Sequence, residues 1–425
     1  SGNTILADTN DNIVTNDTFF NYFNGTGALL SNVTSDELIF EGEFGGLGID
    51  CIFINKPIVF KGNGGAVFNG ITFVVSSDDV TIDGFSIFQK DDYGIRIGED
   101  NVVISNNYLE FTALDGVNSY GIYASSSNLQ ILDNIMLYKG NTDGTVVNNA
   151  VRIEGDDEKE IPATNIVVSD NFFDIYMPSV DVAYDSNTWA PMVINDAIVF
   201  YYCEGLEFAE NNVTVKYNDI TTAYGYDSLY AVSVRSDAYT FGEVQSKHVI
   251  MENNTIDIEG HSCTYAVYVC ADDFSVVRNN ITSTSETYLA YGIDVDGPCD
   301  DGVVAENYIV AEAPLATYGI YSYQYVGSIE NITYDRNIIN VTGYASAGMG
   351  IVECNPEITG NVITADGNYT YGIIANIRYE GVISKNEIAC LGSNMGSDAT
   401  GSSLMSKNSM AISVKGSSAI SDNTL

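Results

Sequence analysis

Four aspartates lie around a Gly-Pro pair in the second half of the chain, at Asp294, Asp296, Asp300 and Asp301. Carboxylate oxygens are the ligands that Ca²⁺ prefers, so these side chains could supply much of the coordination shell of one ion. Their spacing is not that of an EF-hand loop, and acidic turns are frequent in so acidic a chain. The sequence therefore predicts solvated turn carboxylates and no cofactor, with one calcium ion at these four side chains as the alternative.

Acid–base chemistry on polysaccharides is a second candidate. Asn141-Thr142-Asp143-Gly144 resembles the Asn-Thr-Asp element of polygalacturonases, whose carboxylates form a general acid–base set. The companion elements are missing, because neither His248 nor His261 lies in a Gly-His-Gly sequence and Arg152-Ile153-Glu154 follows too closely. A lyase that uses calcium and basic residues on an anionic glycan is disfavoured by the charge of the chain. We therefore predict no catalytic residue and no enzymatic activity.

A ligand-binding surface is predicted where aromatic and acidic residues interrupt the regular pattern of the chain. The segment 176–195 contains the only tryptophan, and the segment 216–229 adds further tyrosines. Such segments project from a repetitive scaffold and often carry its binding surface. The predicted ligand-binding residues are Trp189, Tyr176, Tyr184, Asp181, Asp185, Tyr224 and Tyr226.

Composition limits the partners. The 425 residues carry 57 acidic and 16 basic side chains, a formal net charge of −41, which excludes nucleic-acid binding through phosphate attraction. Hydrophobic residues make up 45% of the chain, enough for a packed core. No apolar run of about 18 residues occurs, so no membrane span is expected. We expect the chain to be a piece of a longer exported protein.

A repeated phrase organises the chain and predicts its fold. Asparagine, any residue, then an aliphatic residue or Phe recurs with its first residue at Asn107, Asn134, Asn171, Asn211, Asn254, Asn279, Asn307, Asn337, Asn361, Asn386 and Asn423. Between these, a bulky residue, Gly or Ala, and Ile or Val recur, as in Tyr265-Ala266-Val267 and Tyr291-Gly292-Ile293. The flanking residues alternate with period two, which indicates short strands. The sequence predicts an all-β, single-stranded right-handed parallel β-helix.

Strand parity assigns the repeated residues to faces. Each recurrent Asn lies two positions before an inward aliphatic residue, so we predict an inward ladder of asparagines bonded from coil to coil. The same parity predicts that the Tyr of the second phrase shares the inward face of the following Ile. Cys270 and Cys299 lie about one coil apart and could be bridged.

The domain organisation follows from this repeat. Residues 1–36 are predicted to form an N-terminal cap in which 15–24 make an amphipathic helix with Phe19, Phe20 and Phe23 on one face. Residues 37–425 form the β-helix, with insertions near 139–164, 176–195, 216–229, 235–248 and 391–409.

Asn-x-Thr sequons suggest glycosylation of an exported chain. Several lie an odd number of residues from a ladder asparagine, which predicts outward side chains. The candidate sites are Asn16, Asn24, Asn32, Asn212, Asn253, Asn280, Asn331, Asn340 and Asn368.

Four N-terminal segments form one further pattern: Thr15 to Phe23, Ser35 to Gly42, Ile54 to Ile58 and Ser76 to Phe85. Together they closely resemble the start of adhesin-like proteins of methanogenic archaea. It implies an extracellular, cell-surface protein that presents a rigid glycosylated β-helix to glycans or proteins of host or neighbouring cells. The alternatives are a self-associating subunit of a surface filament or coat, and a polysaccharide lyase or hydrolase.

Overall fold

The structure, a computed structural model, describes residues 12–140, 146–182, 193–223, 227–236, 245–323, 328–392 and 409–425. Within them the chain forms one short helix and 37 strands. The helix is α1 (Phe19–Tyr22), and the first strands are β1 (Ile13–Val14), β2 (Glu37–Phe44), β3 (Cys51–Ile54), β4 (Ile58–Asn69), β5 (Thr72–Val75), β6 (Val80–Asp83), β7 (Ser86–Asp91), β8 (Tyr93–Ile97), β9 (Val103–Ser105), β10 (Tyr108–Ala113), β11 (Ser119–Ala124), β12 (Gln130–Leu132) and β13 (Ile135–Lys139). The middle strands are β14 (Asn148–Glu154), β15 (Ala163–Ser169), β16 (Phe172–Val182), β17 (Val193–Tyr201), β18 (Cys203–Ala209), β19 (Asn212–Ala223), β20 (Asp227–Arg235), β21 (Ser246–Glu252), β22 (Thr255–Gly260), β23 (Cys263–Val269), β24 (Ala271–Val277) and β25 (Asn280–Ser285). The last are β26 (Leu289–Asp296), β27 (Cys299–Asp300), β28 (Val303–Ala305), β29 (Tyr308–Glu312), β30 (Ala316–Tyr323), β31 (Ile329–Glu330), β32 (Thr333–Asp335), β33 (Ile338–Glu353), β34 (Glu357–Thr359), β35 (Val362–Ser384), β36 (Glu387–Gly392) and β37 (Met410–Ser421).

The strands stack as a right-handed parallel β-helix, as the repeat predicts. Along most of the rod each strand pairs in parallel with the third strand before and the third after it, for example β10 with β7 and β13. Each coil therefore contributes three strands, and the rod has three faces. A parallel crossover of this kind is right-handed in nearly all proteins.

The asparagine ladder is confirmed at all eleven predicted positions. Asn279 is typical: its backbone N–H and its Nδ2 both donate to Oδ1 of Asn307, at 2.9 and 3.0 Å, and Nδ2 also donates to Met251 O. The residue before each ladder asparagine has a positive φ, as at Arg278 with φ 56°, which turns the chain at this corner. The amide thus satisfies backbone groups that the turn leaves unpaired inside the rod.

The prediction that the tyrosines face inward with the following Ile is wrong. Tyr265, Tyr291 and Tyr318 lie outside the main hydrophobic core, where their rings stack with centroids 4.4 and 5.3 Å apart. The small residue of the phrase faces the core instead: a Cβ on Gly292 would lie 2.4 Å from Ile309 Cγ2. Gly292 and Ile293 are both buried, so the simple alternation of strand parity fails at this position. The stacked rings cover one another's faces, so the tyrosine column is a packing element.

The N-terminal cap is smaller than predicted. Only Phe19–Tyr22 is helical, Thr18 is its N-cap residue, and the Thr18 side chain does not bond to the helix N-terminus. Phe19 and Phe23 are buried and stack at 4.4 Å over the first coil, but Phe20 is 48% exposed, so the three do not share a buried face. β1 pairs in parallel with β2, which places the first coil partly inside the predicted cap segment.

The interruptions are in part longer strands rather than loops. The insertion predicted at 139–164 contains β14, which pairs with β11 and β17. Within 176–195 and 216–229, β16 and β19 extend side by side to Val182 and Ala223, with one register shift between Met177 and Pro178. The described parts of these segments therefore widen the rod. The rest of these segments lies outside the described residues. The same holds for 237–244 of the insertion 235–248 and for 393–408 of the insertion 391–409.

Candidate active site

One outer face of the rod carries a row of polar and aromatic side chains. This site face consists of the strands that follow the tyrosine column, β8, β11, β14, β17, β20, β23, β26 and β30, and of parts of β33 and β35. Parallel pairing aligns one residue from each coil, about 4.8 Å apart. In chain order these are Arg96, Tyr123, Arg152, Val199, Ser233, Tyr268, Asp294, Tyr321, Gly350 and Ile374.

The site face also carries basic side chains. Three of the 16 basic residues of the chain, Arg96, Arg152 and Arg235, lie on it. Arg152 pairs with Glu154 on the same strand, and Arg235 pairs with Asp196. Two of the three arginines are therefore balanced by carboxylates of the same face.

Arg235 is held in a fixed orientation at the centre of this face. Its Nη2 lies 2.7 Å from Asp196 Oδ1, and its Nε lies 3.1 Å from both oxygens of that carboxylate. Ser233 Oγ donates to the same Oδ1 at 2.8 Å. The guanidinium carbon lies 4.6 Å from the ring centre of Tyr230 and 4.7 Å from that of Tyr268. Charge-assisted bonds and two aromatic rings together leave the guanidinium little freedom.

One coil further on, Tyr268 and two aspartates meet. Tyr268 hydroxyl donates to Asp296 Oδ2 at 3.0 Å, and Asp294 lies beside Tyr268 on the neighbouring strand. Burial, together with the Asp296 carboxylate, raises the pKa of Tyr268 well above its usual range. The hydroxyl is thus a proton donor over the whole physiological pH range. We call Asp196, Tyr230, Arg235, Tyr268, Asp294 and Asp296 the Arg235 cluster.

Asp294 is the least satisfied member of the cluster. Its side chain is buried, and Oδ1 has no hydrogen-bond partner. Burial, reinforced by Asp296, raises the pKa of Asp294 well above its ordinary value despite the opposing charge of Arg235. A buried carboxyl without a partner is costly, and it is least costly when it carries a proton. Asp294 therefore takes up a proton more readily than an exposed aspartate does.

This arrangement can transfer protons to and from a bound molecule. Asp294 and Asp296 are two residues apart on one strand face, so their Cα atoms are about 7 Å apart. Burial raises the pKa of the Asp294 carboxyl, whereas the Asp296 carboxylate accepts a hydrogen bond from a tyrosine, so the two carboxyl groups have different surroundings. Pairs of carboxyl groups with different protonation are the working parts of general acid–base catalysis.

The structure divides the four aspartates that the sequence grouped as calcium ligands. Asp294 and Asp296 belong to the Arg235 cluster, whereas Asp300 and Asp301 are exposed at a corner, where Asn331 Nδ2 bonds to both. Among the residues that the structure describes, no group of three or more His, Cys, Asp or Glu side chains could hold a metal ion. The four side chains therefore do not converge on one ion, and the signal in Asp294-Val295-Asp296 was a carboxyl pair on one strand face.

Most of the predicted ligand-binding residues lie outside the described part of the chain. Tyr176 is exposed on β16, and Asp181 belongs to the same strand. The predicted residues that lie outside the described part of the chain are Trp189, Tyr184, Asp185, Tyr224 and Tyr226, together with the Asn141–Gly144 element. A binding surface there stays a prediction.

The sequons lie where strand parity places them. Asn212, Asn253 and Asn280 are exposed while the adjacent ladder asparagines are buried, and Asn340 is half-buried. Asn16, Asn24, Asn32 and Asn331 are exposed, and Asn368 is half-buried. The predicted register is therefore correct, and glycosylation itself stays a prediction.

Sequence reasoning missed Asp196, Arg235 and Tyr268 altogether. They come from three coils of unequal length and are brought together by stacking alone. One signal was available: the third residue after the Tyr of the repeated phrase is Arg96, Tyr123, Tyr268, Asp294 and Tyr321 in five different coils. Polar and aromatic types at one repeat position mark a face with a function besides packing.

Comparison with solved structures finds similarity to three carbohydrate-processing enzymes. The chain is similar to the A-module of a mannuronan C-5 epimerase from Azotobacter vinelandii, with 11% identity, a TM-score of 0.42, and 96% of this chain and 98% of that chain covered. It is similar to a periplasmic alginate epimerase, with 11% identity, a TM-score of 0.42 and coverage of 98% and 84%. A mannuronic acid-specific polysaccharide family 6 lyase from human gut microbiota gives 12% identity, a TM-score of 0.37 and coverage of 83% and 86%.

No family model matches the chain, and the search of curated proteins found no match. No helix in the described residues is long and apolar enough to cross a membrane. The similar structures support the β-helix fold that the resemblance implies. They support neither an adhesin nor an archaeal source. They overturn the prediction of a non-enzymatic adhesin, because the proteins matched are epimerases and a lyase. Identities this low establish the fold alone, so the activity has to be argued from the residues of this chain.

Proposed function

We propose that the chain is a polysaccharide-active enzyme, a lyase or a hydrolase, with the Arg235 cluster as its active site. The observation that carries this proposal is the buried carboxyl of Asp294, whose Oδ1 has no hydrogen-bond partner among the described residues. A hydrogen-bonding group kept free at a buried position is suited to a bound substrate.

Packing does not explain this carboxyl. The aligned positions of other coils hold Val199, Gly350 and Ile374, so the fold accepts an apolar or absent side chain there. Replacing a buried carboxyl by an apolar group of similar size is usually neutral or stabilising. A chain that keeps an unpaired acid at such a site sacrifices stability, and a catalytic role accounts for that sacrifice.

The residues suggest a division of roles. Asp294 holds the proton that a departing glycosidic oxygen needs. Asp296 accepts a proton from an attacking water or from a substrate carbon, and Tyr268, bonded to Asp296, passes protons between the substrate and that carboxylate. Arg235, fixed by Asp196, places a positive charge beside the oxygens that become negative. Hydrolysis and elimination both use this set and differ in what Asp296 deprotonates.

The rod geometry favours a polymer as substrate. The site face continues over neighbouring coils with tyrosines and with the Arg152–Glu154 pair, so a chain of sugar units can extend in both directions from Asp294. Polymers of this kind lie outside cells, and we place the action of the protein there. Cell-surface retention and self-association stay predictions.

The test is product release from a panel of neutral and acidic polysaccharides. We expect new reducing ends on at least one of them. An unsaturated sugar at the new end identifies a lyase, and its absence identifies a hydrolase. The variant Tyr268→Phe removes only the hydroxyl and should lower turnover about 10²- to 10⁴-fold, the usual contribution of one acid–base group.

Tyr308→Phe is the matched control, because Tyr308 is exposed on β29, which is not part of the site face. It should retain full turnover. The proposal fails if no polysaccharide in the panel is cleaved, or if Tyr268→Phe turns over its substrate as fast as Tyr308→Phe does.

A further inference from the structure

Two buried cysteines meet at the edge of the Arg235 cluster. Cys270 directly follows β23, and Cys299 begins β27 after the turn that leaves Asp296. Each is 1% exposed, and both are free thiols. Ala271 N–H donates to Cys299 Sγ at 3.3 Å, and Cys270 Sγ lies 3.9 Å from Pro298 O. Each sulfur therefore contacts the residue next to the other cysteine.

The backbone spacing also suits a covalent link. Pairing of β24 with β28 joins Ser275 to Val303, and this register places Ala271 beside Cys299. One strand spacing across and one residue along put the Cα atoms of Cys270 and Cys299 about 6 Å apart, inside the range that a disulfide spans. Burial raises the pKa of the Cys299 thiol, and the neighbouring Cys270 thiol raises it further.

We propose that Cys270 and Cys299 form a disulfide when the chain folds under oxidising conditions, and that this bond fastens two successive coils beside the active-site face. The inference stands apart from the proposed function, since a disulfide here requires no substrate. It concerns a covalent modification that would hold the turn following Asp296 in place.

The chemistry is thiol–disulfide exchange with a small disulfide such as oxidised glutathione. The thiolate of one cysteine attacks a glutathione sulfur, forming a mixed disulfide and releasing one reduced glutathione. The thiolate of the other then attacks the protein sulfur of that mixed disulfide and releases the second. Two thiols lose two protons and two electrons, and one oxidised glutathione gains them.

Burial of the two thiols determines at which stage of folding the disulfide can form. With both thiols 1% exposed, the folded protein shields them from glutathione. The exchange should therefore be fast while the coils are stacking and slow once they are closed. Once formed, the bond restricts the unfolded chain across one coil and should raise the unfolding midpoint.

The experiment is refolding of the full chain with oxidised glutathione, followed by alkylation in denaturant and peptide mapping without reduction. We expect two of the seven thiols to be lost, and one cross-linked peptide pair that contains Cys270 and Cys299. The oxidised chain should unfold at a higher temperature than the reduced chain. Seven reactive thiols after refolding, or a cross-link between other cysteines, overturns the proposal.

Two variants keep the test specific. Cys299→Ser should lose no thiol on oxidation and should show no difference between the two unfolding temperatures. Cys203→Ser is the matched control: Cys203 is equally buried, but its sulfur contacts the carbonyls of Ile153 and Tyr201. This variant should still lose two thiols. A loss of two thiols in Cys299→Ser contradicts the assignment.

Discussion

Two columns of buried polar residues run along this rod, and they differ in how completely their hydrogen bonds are made. In the asparagine ladder, each interior amide accepts two bonds through Oδ1 and donates both Nδ2 hydrogens, as at Asn307. In the Arg235 cluster, Asp196 is fully engaged but Asp294 keeps an oxygen without a partner. Both columns are buried, so burial alone does not separate structure from function.

The difference lies in what the fold needs at each place. The ladder satisfies main-chain groups at a corner that every coil must turn, so the same residue type recurs in every coil. The site face needs no polar group for folding, and its residue type changes from coil to coil. A repeated, satisfied polar group belongs to the architecture; an unrepeated, unsatisfied one indicates a site.

The largest expected effect on stability comes from breaking the ladder. Asn307→Ala removes the acceptor of Asn279 N–H and Nδ2 and the donor to Val276 O, all inside the rod. We expect a loss of about 3–5 kcal/mol in the free energy of unfolding, since several buried groups lose partners at once. Denaturant unfolding measures it, with the exposed Asn280→Ala as control. Equal stability of the two variants would show that the ladder is dispensable.

Glu353 provides an intermediate case between the two columns. Its Oε1 accepts hydrogen bonds from Ser322 Oγ, at 2.8 Å, and from the Tyr334 hydroxyl, while Oε2 has no partner. Burial raises the pKa of Glu353 from 4.5 to about 7, although both hydrogen bonds act in the opposite direction. The folded state therefore binds a proton more tightly than the unfolded state does.

The sign of the resulting pH dependence follows from linkage. The raised pKa of Glu353 contributes about 3 kcal/mol to the free energy of unfolding. This contribution is fully present below pH 4.5 and is lost as the pH rises towards 7. Glu353→Gln keeps a neutral side chain at every pH and should lose this dependence. The measurement is the difference in unfolding free energy between the two proteins across pH 4–8. A difference that stays constant with pH would contradict the assignment.

A smaller effect is expected from Arg235→Lys. Lysine keeps the charge but cannot bond to both oxygens of Asp196 or lie flat between Tyr230 and Tyr268. Loss of one charge-assisted bond, about 1.5–3 kcal/mol, should lower turnover by roughly ten- to a hundredfold. Arg278→Lys, at the exposed pair with Glu252, is the control and should leave turnover unchanged. Equal turnover in both would remove Arg235 from the site.

The sequence predicts the architecture well because the repeat is local. Asn211 and Asn254 are 43 residues apart, yet each carries its own phrase, and parity within the phrase predicts both the ladder and the outward Asn212. The active-site face could not be predicted in the same way. Asp196, Arg235 and Tyr268 share no phrase, and coils of unequal length hide their alignment.

Local exceptions account for the remaining errors. Gly292 and Ile293 are both buried, so the alternation that assigned Tyr291 to the core fails there. The N-terminal helix is limited to one turn because the chain returns at once to pair with the first coil, an effect of tertiary packing that helical periodicity does not report. The carboxyl pair in β26 was visible in the sequence, but only its three-dimensional neighbours distinguish an acid–base pair from metal ligands.

The most direct test of the central claim is to compare Asp294→Asn with Asp257→Asn for both turnover and unfolding. Asp257 is exposed on β22, away from the site face, and serves as the matched control. Asparagine is neutral and nearly the same size as Asp294, but it cannot donate an acid proton. We predict a loss of turnover of about 10²- to 10⁴-fold for Asp294→Asn with an unfolding midpoint like that of the control. Full turnover with a lowered midpoint would show that Asp294 serves the fold and not the reaction.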